Sequence, residues 1–317
     1  MARSTKWIKD VSPDQPAADV ARLALCARLD AVVYFLPKAA MEADEDIEYV
    51  HQLRVATRRS MAAILTFQSL LPVRRTDKLR KMLRRLRKAA GEARDLDVLY
   101  ERLDKQARKT HIPGMKKVLT KVSRRRDAAQ RPLLKIHQKW QSSKYERKIK
   151  KLLERVRWRC DSPEPSFQHV ATQAMQSATE EFFRAASADL TTIAALHQMR
   201  IIAKQVRYTM ELTAGAFAPV FRDEIYPLFT DVQDRLGAIN DFATAEQLFG
   251  TWSIEANTQE ATEELARMAD DECNQLNASA EEFRLWWTQE RADSIRQCLS
   301  PYVMPAPTEP PIIRPDA

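Results

Sequence analysis

The chain has 317 residues, 44% of them hydrophobic and only five of them glycine, which excludes a turn-rich β protein and predicts a helical fold larger than one ordinary domain. Its formal net charge of +8 conceals a division: residues 1–160 carry 40 Lys and Arg against 18 Asp and Glu, whereas the remainder carries 11 against 25. Balances of +22 and −14 predict either a half that faces a polyanion or two halves that attract each other, and charge does not choose between them.

Apolar spacing and chain breakers predict eight helices. The first runs from Pro16 to Leu36, with Leu23, Cys26 and Val33 on its core stripe. "MEADEDIEYV" loads acid onto the start of a second helix, which continues to Leu71 before Pro72. A third spans Thr76 to Lys109, ended by "HIPG"; a very basic fourth runs from Met115 towards Arg159 and is expected to break near Pro132. "DSPEP", residues 161–165, is the clearest punctuation and marks the midpoint. Four more helices follow, at about 166–186, 190–214, 219–249 and 255–297, and residues 298–317 form a Pro-rich tail expected to be mobile.

Cys26, Cys160, Cys273 and Cys298 lie far apart without a C-x-x-C pair, so neither zinc nor a disulfide framework is signalled. The N-terminus lacks an apolar signal region and no apolar run approaches the roughly 20 residues of a spanning helix. A cytoplasmic protein without membrane contact is the expectation.

Residues 51–60, "HQLRVATRRS", are echoed at 197–206 by "HQMRIIAKQV". The same offset aligns Gly91 and Asp95 of "GEARDLDV" with Gly237 and Asp241 of "GAINDFAT". A shared H-Q-x-R and a shared G-x-x-x-D in one register predict an internal duplication, with the halves 17–160 and 166–295 related by an approximate two-fold axis.

On a helix, His51, Arg54 and Arg58 fall within about 60° of one another, and His197, Arg200, Lys204 and Arg207 form the matching stripe. Three of the eleven cations of the second half share that short stripe, and from His197 to Lys204 no acids stand at i+4 to make it a salt-bridged solvent face. In the third helix Lys81, Arg84, Arg85 and Lys88 supply a further row. Arg94 and Asp95 form either a surface pair or, with Asp241, a set of carboxylates that orient the arginines and histidines. Gly91 and Gly237 each cost a helix about 1 kcal/mol, which points to close helix packing or, less directly, to a ligand. Rows of cations on two related bundles predict an elongated basic groove or channel for a ligand of repeated negative charge.

The chain contains neither a phosphate loop G-x-x-x-x-G-K-[ST] nor H-E-x-x-H. It has no convincingly spaced acidic cluster for metal-dependent phosphohydrolysis, and no aromatics interleave with the basic stripes. Binding without chemistry, and without a cofactor or metal, is the economical expectation.

Together "HQLRVATRR", "GEARDLDV", "HQMRIIAKQVRY" and "LGAIND" resemble the CHAD family, the conserved histidine α-helical domain, over about residues 17–295. The resemblance implies an all-α fold of two four-helix bundles related by a pseudo-two-fold axis, with a basic channel that binds inorganic polyphosphate. It also implies, for some members, association with polyphosphate granules. Carried over by position, it points to His51, Arg54, Arg58 and Arg59, to Arg94, and to His197, Arg200, Lys204 and Arg207. Met61 stands where the first motif usually has another arginine, and Gln205 where a cation is common. No E-x-E-x-K triphosphate-tunnel motif is present, so the expected form is a CHAD domain alone and not an enzyme. The alternative is a nucleic-acid binder using the basic first half. A protein partner for the acidic last helix, with its "FRLWW", is left open.

Overall fold

The computed structural model describes residues 5–109 and 115–303, and the described residues form helices, turns and a single isolated β-bridge. "HIPG" and residues 304–317 lie outside them. Ten α-helices follow in order: α1 (Ala17–Met41), α2 (Glu48–Thr66), α3 (Val73–Lys109), α4 (Met115–Ser142), α5 (Tyr145–Leu153), α6 (Phe167–Ala186), α7 (Ile193–Thr213), α8 (Tyr226–Ile254), α9 (Gln259–Trp286) and α10 (Gln289–Val303).

Successive helices pack side by side, α1 on α2, α2 on α3 and α3 on α4 in the first half, then α6 on α7, α7 on α8 and α8 on α9 in the second. The second half has polar caps. Ser166, Thr192 and Thr258 each accept a backbone N–H from the third residue onward, at 3.3, 3.2 and 3.3 Å, which satisfies a donor the first turn leaves free. α1 instead begins after Pro16, and Glu164 of the linker accepts from the N–H of Ala18 at 2.7 Å. The linker and the N-terminal segment are further tied by Ala17 N–H to Pro165 O and Phe167 N–H to Gln15 O, which brings the starts of the two halves together.

Two apolar cores result. One holds α1–α5 but takes in Phe249, Trp252 and Leu265 from the tip of the α8–α9 hairpin; the other holds the remainder of α6–α10. Along that hairpin the charge division becomes structural. Arg102 meets Glu272 at 2.7 Å, Lys117 meets Glu260 at 4.0 Å, and Arg125 meets Glu255. Each pair takes its cation from the first half and its carboxylate from the second.

Several expectations are corrected. The fourth predicted helix passes through Pro132 and breaks at Ser143–Lys144, where Lys144 takes a left-handed φ of 52°. The last predicted helix divides at Trp287–Thr288, and helix continues to Val303 through Pro301, inside the predicted tail. The acidic stretch 42–47 is a turn that precedes α2, so only Glu48 sits in its first turn. Leu23 is 40% exposed, and the buried stripe of α1 runs through Ala21, Leu25, Leu29, Val32 and Leu36 instead; α1 is apolar on most sides, so its sequence does not set its phase. In "FRLWW", Phe283 and Trp287 are core residues, and Trp286 lies between the guanidiniums of Arg235 and Arg291, each 4.4 Å from its ring.

Candidate functional site

α2 packs against α7 and α3 against α8, so the seam between the halves is lined by the very helices that carry the repeated motifs. On α2, Leu53, Ala56, Thr57 and Ser60 turn inward, which leaves His51, Arg54 and Arg58 half-buried along the seam. On α7, Leu196, Met199, Ala203 and Val206 are buried, which sets Arg200 and Lys204 half-buried opposite them and His197 exposed at the end.

The stripes act on one another. Burial, reinforced by Arg200 and Arg58, pulls the Lys204 ammonium down to about 7, against the favourable pull of Asp241. Burial also lowers Arg54, which Asp95 opposes and Arg58, Arg200 and Arg87 assist. Arg200 is lowered by burial and by Arg58 despite Asp241. Burial, then Arg94, lowers the His51 imidazole, and Lys204 contributes from across the seam. The two stripes therefore line one surface, and like charges crowd it.

Two carboxylates temper that crowding. Asp95 is open to solvent by area, yet its pKa is raised, chiefly by burial and further by Asp241, against the pull of Arg54. An accessible group in a recess is still poorly solvated, which reconciles the two observations. Asp241 lies 4.0 Å from Arg200, too far for a hydrogen bond. The orienting role expected of the aspartates falls instead to Asn240. Its Oδ1 is 2.8 Å from His197 Nδ1 and accepts from Arg200 Nη1 at 3.1 Å. Asn240 occupies the position that corresponds to Arg94, so the "LGAIND" segment carried the signal. Arg94 lies beside Glu48 at 3.9 Å, and its Nη1 is buried without a hydrogen-bond partner.

Gly91 also gains a reason. A Cβ there would stand 3.1 Å from Arg54 Nη1, so the glycine makes room for a side chain of the seam and not for a helix backbone. Gly237 has nothing within 4 Å.

On the part of α3 before Gly91, the cations nearest it in angle are Arg80, Arg84 and Arg87, within about 40° on the helical wheel. Arg87 is lowered by burial and by Arg58 and Arg84, and the effect of Arg58 places it at the seam. Lys81, Arg85 and Lys88 stand about 60–120° away and, like Arg84 and Arg87, are exposed. Of the predicted row, Arg84 stands nearest Gly91 in angle. Arg87 was missed, although it sits four residues before Gly91, where a helix places its neighbours.

Two further predicted residues leave the cluster. Arg59 donates from Nε to Glu211 at 2.6 Å, and Glu211, 1% exposed, also accepts from the Tyr226 hydroxyl at 2.7 Å. Burial and Glu211 raise the Tyr226 pKa. Arg207 lies 5.9 Å from the Tyr226 ring, beside the same network. Arg59 and Glu211 tie the two halves together, and Arg207 stands next to that tie. Among the described residues no group of three His, Cys, Asp or Glu is placed to hold a metal ion, and no helix is long and apolar enough to cross a membrane.

A family model described as the CHAD domain matches residues 23–250. Among solved structures, the chain is similar to the CHAD domain from the plant Ricinus communis, with a TM-score of 0.71 and 20% identity, over 90% of this chain and 96% of that one. It is also similar to PptA from Streptomyces chartreusis, with a TM-score of 0.63 and 19% identity, over 86% and 99%. No curated protein matches the chain in sequence. At these identities the structural likeness is one of fold.

Proposed function

The chain belongs to the CHAD domain family, and from that premise we propose that it binds inorganic polyphosphate at the seam between its halves without transforming it. The observation that carries the reading is the convergence of Arg54, Arg58, Arg200 and Lys204, in which Arg58 and its neighbours disfavour the charged forms of Arg54, Arg200 and Lys204. Crowded cations that Asp95 and Asp241 offset in part are stabilised by an anion of several charges. Guanidinium forks suit phosphate oxygens, and His197 and Arg200 are held in place for them by Asn240. From His197 to Lys204 the stripe extends about 10 Å along α7, and Arg80 to Arg87 a similar length along α3. A chain of phosphates can span these rows; a single phosphate cannot.

The test is a titration with long-chain polyphosphate of the parent and of the combined variant Arg54→Ala, Arg58→Ala, Arg200→Ala, Lys204→Ala. The reading predicts a loss of at least about 100-fold, since each charge-assisted contact is worth more than a factor of ten. Unchanged affinity would reject the site. DNA or RNA that displaces polyphosphate at equal phosphate concentration would favour nucleic acid as the ligand. Phosphate release that depends on His51 or His197 would make the protein an enzyme.

A further inference from the structure

At the start of α3, about 18 Å along the helix from Gly91, a groove of about 350 Å³ opens between α3 and α5. Its floor is apolar. Leu79, Ile149 and Leu152 are at most 6% exposed, and the Tyr145 ring, stacked on Trp140 with centroids 4.9 Å apart, forms a rigid wall. Its rim is cationic: Arg74, Arg75, Lys78 and Lys148 all line it. The neighbouring ion pair is made by Arg80 and Asp77 at 3.9 Å, and none of the four rim cations joins an ion pair among the described residues. Lys148 Nζ is held 4.5 Å from the centroid of Tyr145, poised over the wall.

This combination differs from the seam. There the cations face one another and two carboxylates; here they surround an apolar depression. A polyphosphate chain satisfies a ring of cations but gains nothing from Leu79, Ile149 and Leu152. A ligand with one anionic head and an apolar body satisfies both. The volume admits about ten water-sized groups, and a methylene group is of that size.

We propose that this groove binds a small amphiphilic anion, a phosphate or carboxylate head on an alkyl or aryl body of about ten carbons. The rim cations hold the head and the apolar floor buries the body. The proposal does not rest on the polyphosphate reading, and neither requires the other.

The test uses the full chain and n-alkyl phosphates from hexyl to decyl, kept below their micelle concentrations, with inorganic phosphate as the headgroup control. Affinity is expected to rise about fourfold per added methylene and to level off once the tail outgrows the groove. Arg74→Glu with Lys148→Glu is expected to weaken decyl phosphate at least tenfold with the melting temperature unchanged. Arg58→Ala with Lys204→Ala, at the seam, is expected to leave decyl phosphate binding intact. Affinity independent of tail length, or inorganic phosphate binding as tightly as decyl phosphate, would reduce the groove to an extension of the basic surface and overturn the proposal. So would the absence of decyl phosphate binding at millimolar concentration, which would mean that the rim cations merely cover the core with their stems.

Discussion

An ammonium among guanidiniums gives up its proton early, and Lys204 does so at about pH 7. Its unfolded value is about 10.4, so between these limits the unfolded chain binds more protons and the stability of the ligand-free protein rises with pH from about 7 towards 10. Below pH 7 the folded protein carries the charge at full cost. Lys204→Met should therefore stabilise the ligand-free protein by roughly 1–3 kcal/mol at pH 6, after allowance for water at the seam, and by little at pH 10; denaturant melts at the two values check this. A bound phosphate favours the charged lysine, so the parent should take up a proton on binding above pH 7 and lose affinity as pH rises. Calorimetry in buffers of different ionisation enthalpy reads that proton, and Lys204→Met should abolish it. The glycines make a second residue-scale contrast. Gly91→Ala puts a methyl group against the Arg54 guanidinium, so it should weaken polyphosphate binding several-fold. Gly237→Ala meets nothing, so it should add about 1 kcal/mol of helix stability with affinity unchanged. Equal effects at the two positions, read by melting and titration, would contradict the role given to Gly91.

Helix ends were legible where the sequence changes backbone chemistry, and obscure where packing decides. Pro72 and "DSPEP" both mark real boundaries. Pro132 does not, because α4 is long enough to absorb one missing donor. The break that does occur, at Lys144, has no glycine or proline to announce it. A lysine in the left-handed region costs about 1 kcal/mol, so Lys144→Gly should stabilise the fold by about 0.5–1 kcal/mol, measured by denaturant melting. The same limit explains α3. Its composition announces a basic helix, but cations stand on several sides, and the choice between the row of Lys81, Arg85 and Lys88 and the row of Arg80, Arg84 and Arg87 depends on where α2 lies. Gly91 was the one local clue to that phase. The repeated histidine stripes were legible because, in the second half, cations are too few to obscure them.

Across the molecule, the opposite charges of the halves serve first to hold the halves together, along the α8–α9 hairpin and through Arg59 and Glu211. The sequence carried the sign of this attraction but not its place, since the partners lie more than a hundred residues apart. Glu211→Ala should cost about 3–5 kcal/mol, because it removes a buried carboxylate from beside Arg59 and Arg28 and the acceptor of the Tyr226 hydroxyl; a melting temperature within a degree of the parent's would contradict that assignment. At the seam the acids are outnumbered, and the surplus of positive charge is the feature on which the proposed function depends. A single shared site makes a sharper claim than the presence of cations. Calorimetric titration with short-chain polyphosphate tests it most directly, using the parent, a variant with Arg54→Ala and Arg58→Ala, and a variant with Arg200→Ala and Lys204→Ala. The account predicts one polyphosphate chain per protein and the loss of that one binding event in either variant. Two chains per protein, with each variant retaining one of them at parental affinity, would contradict it.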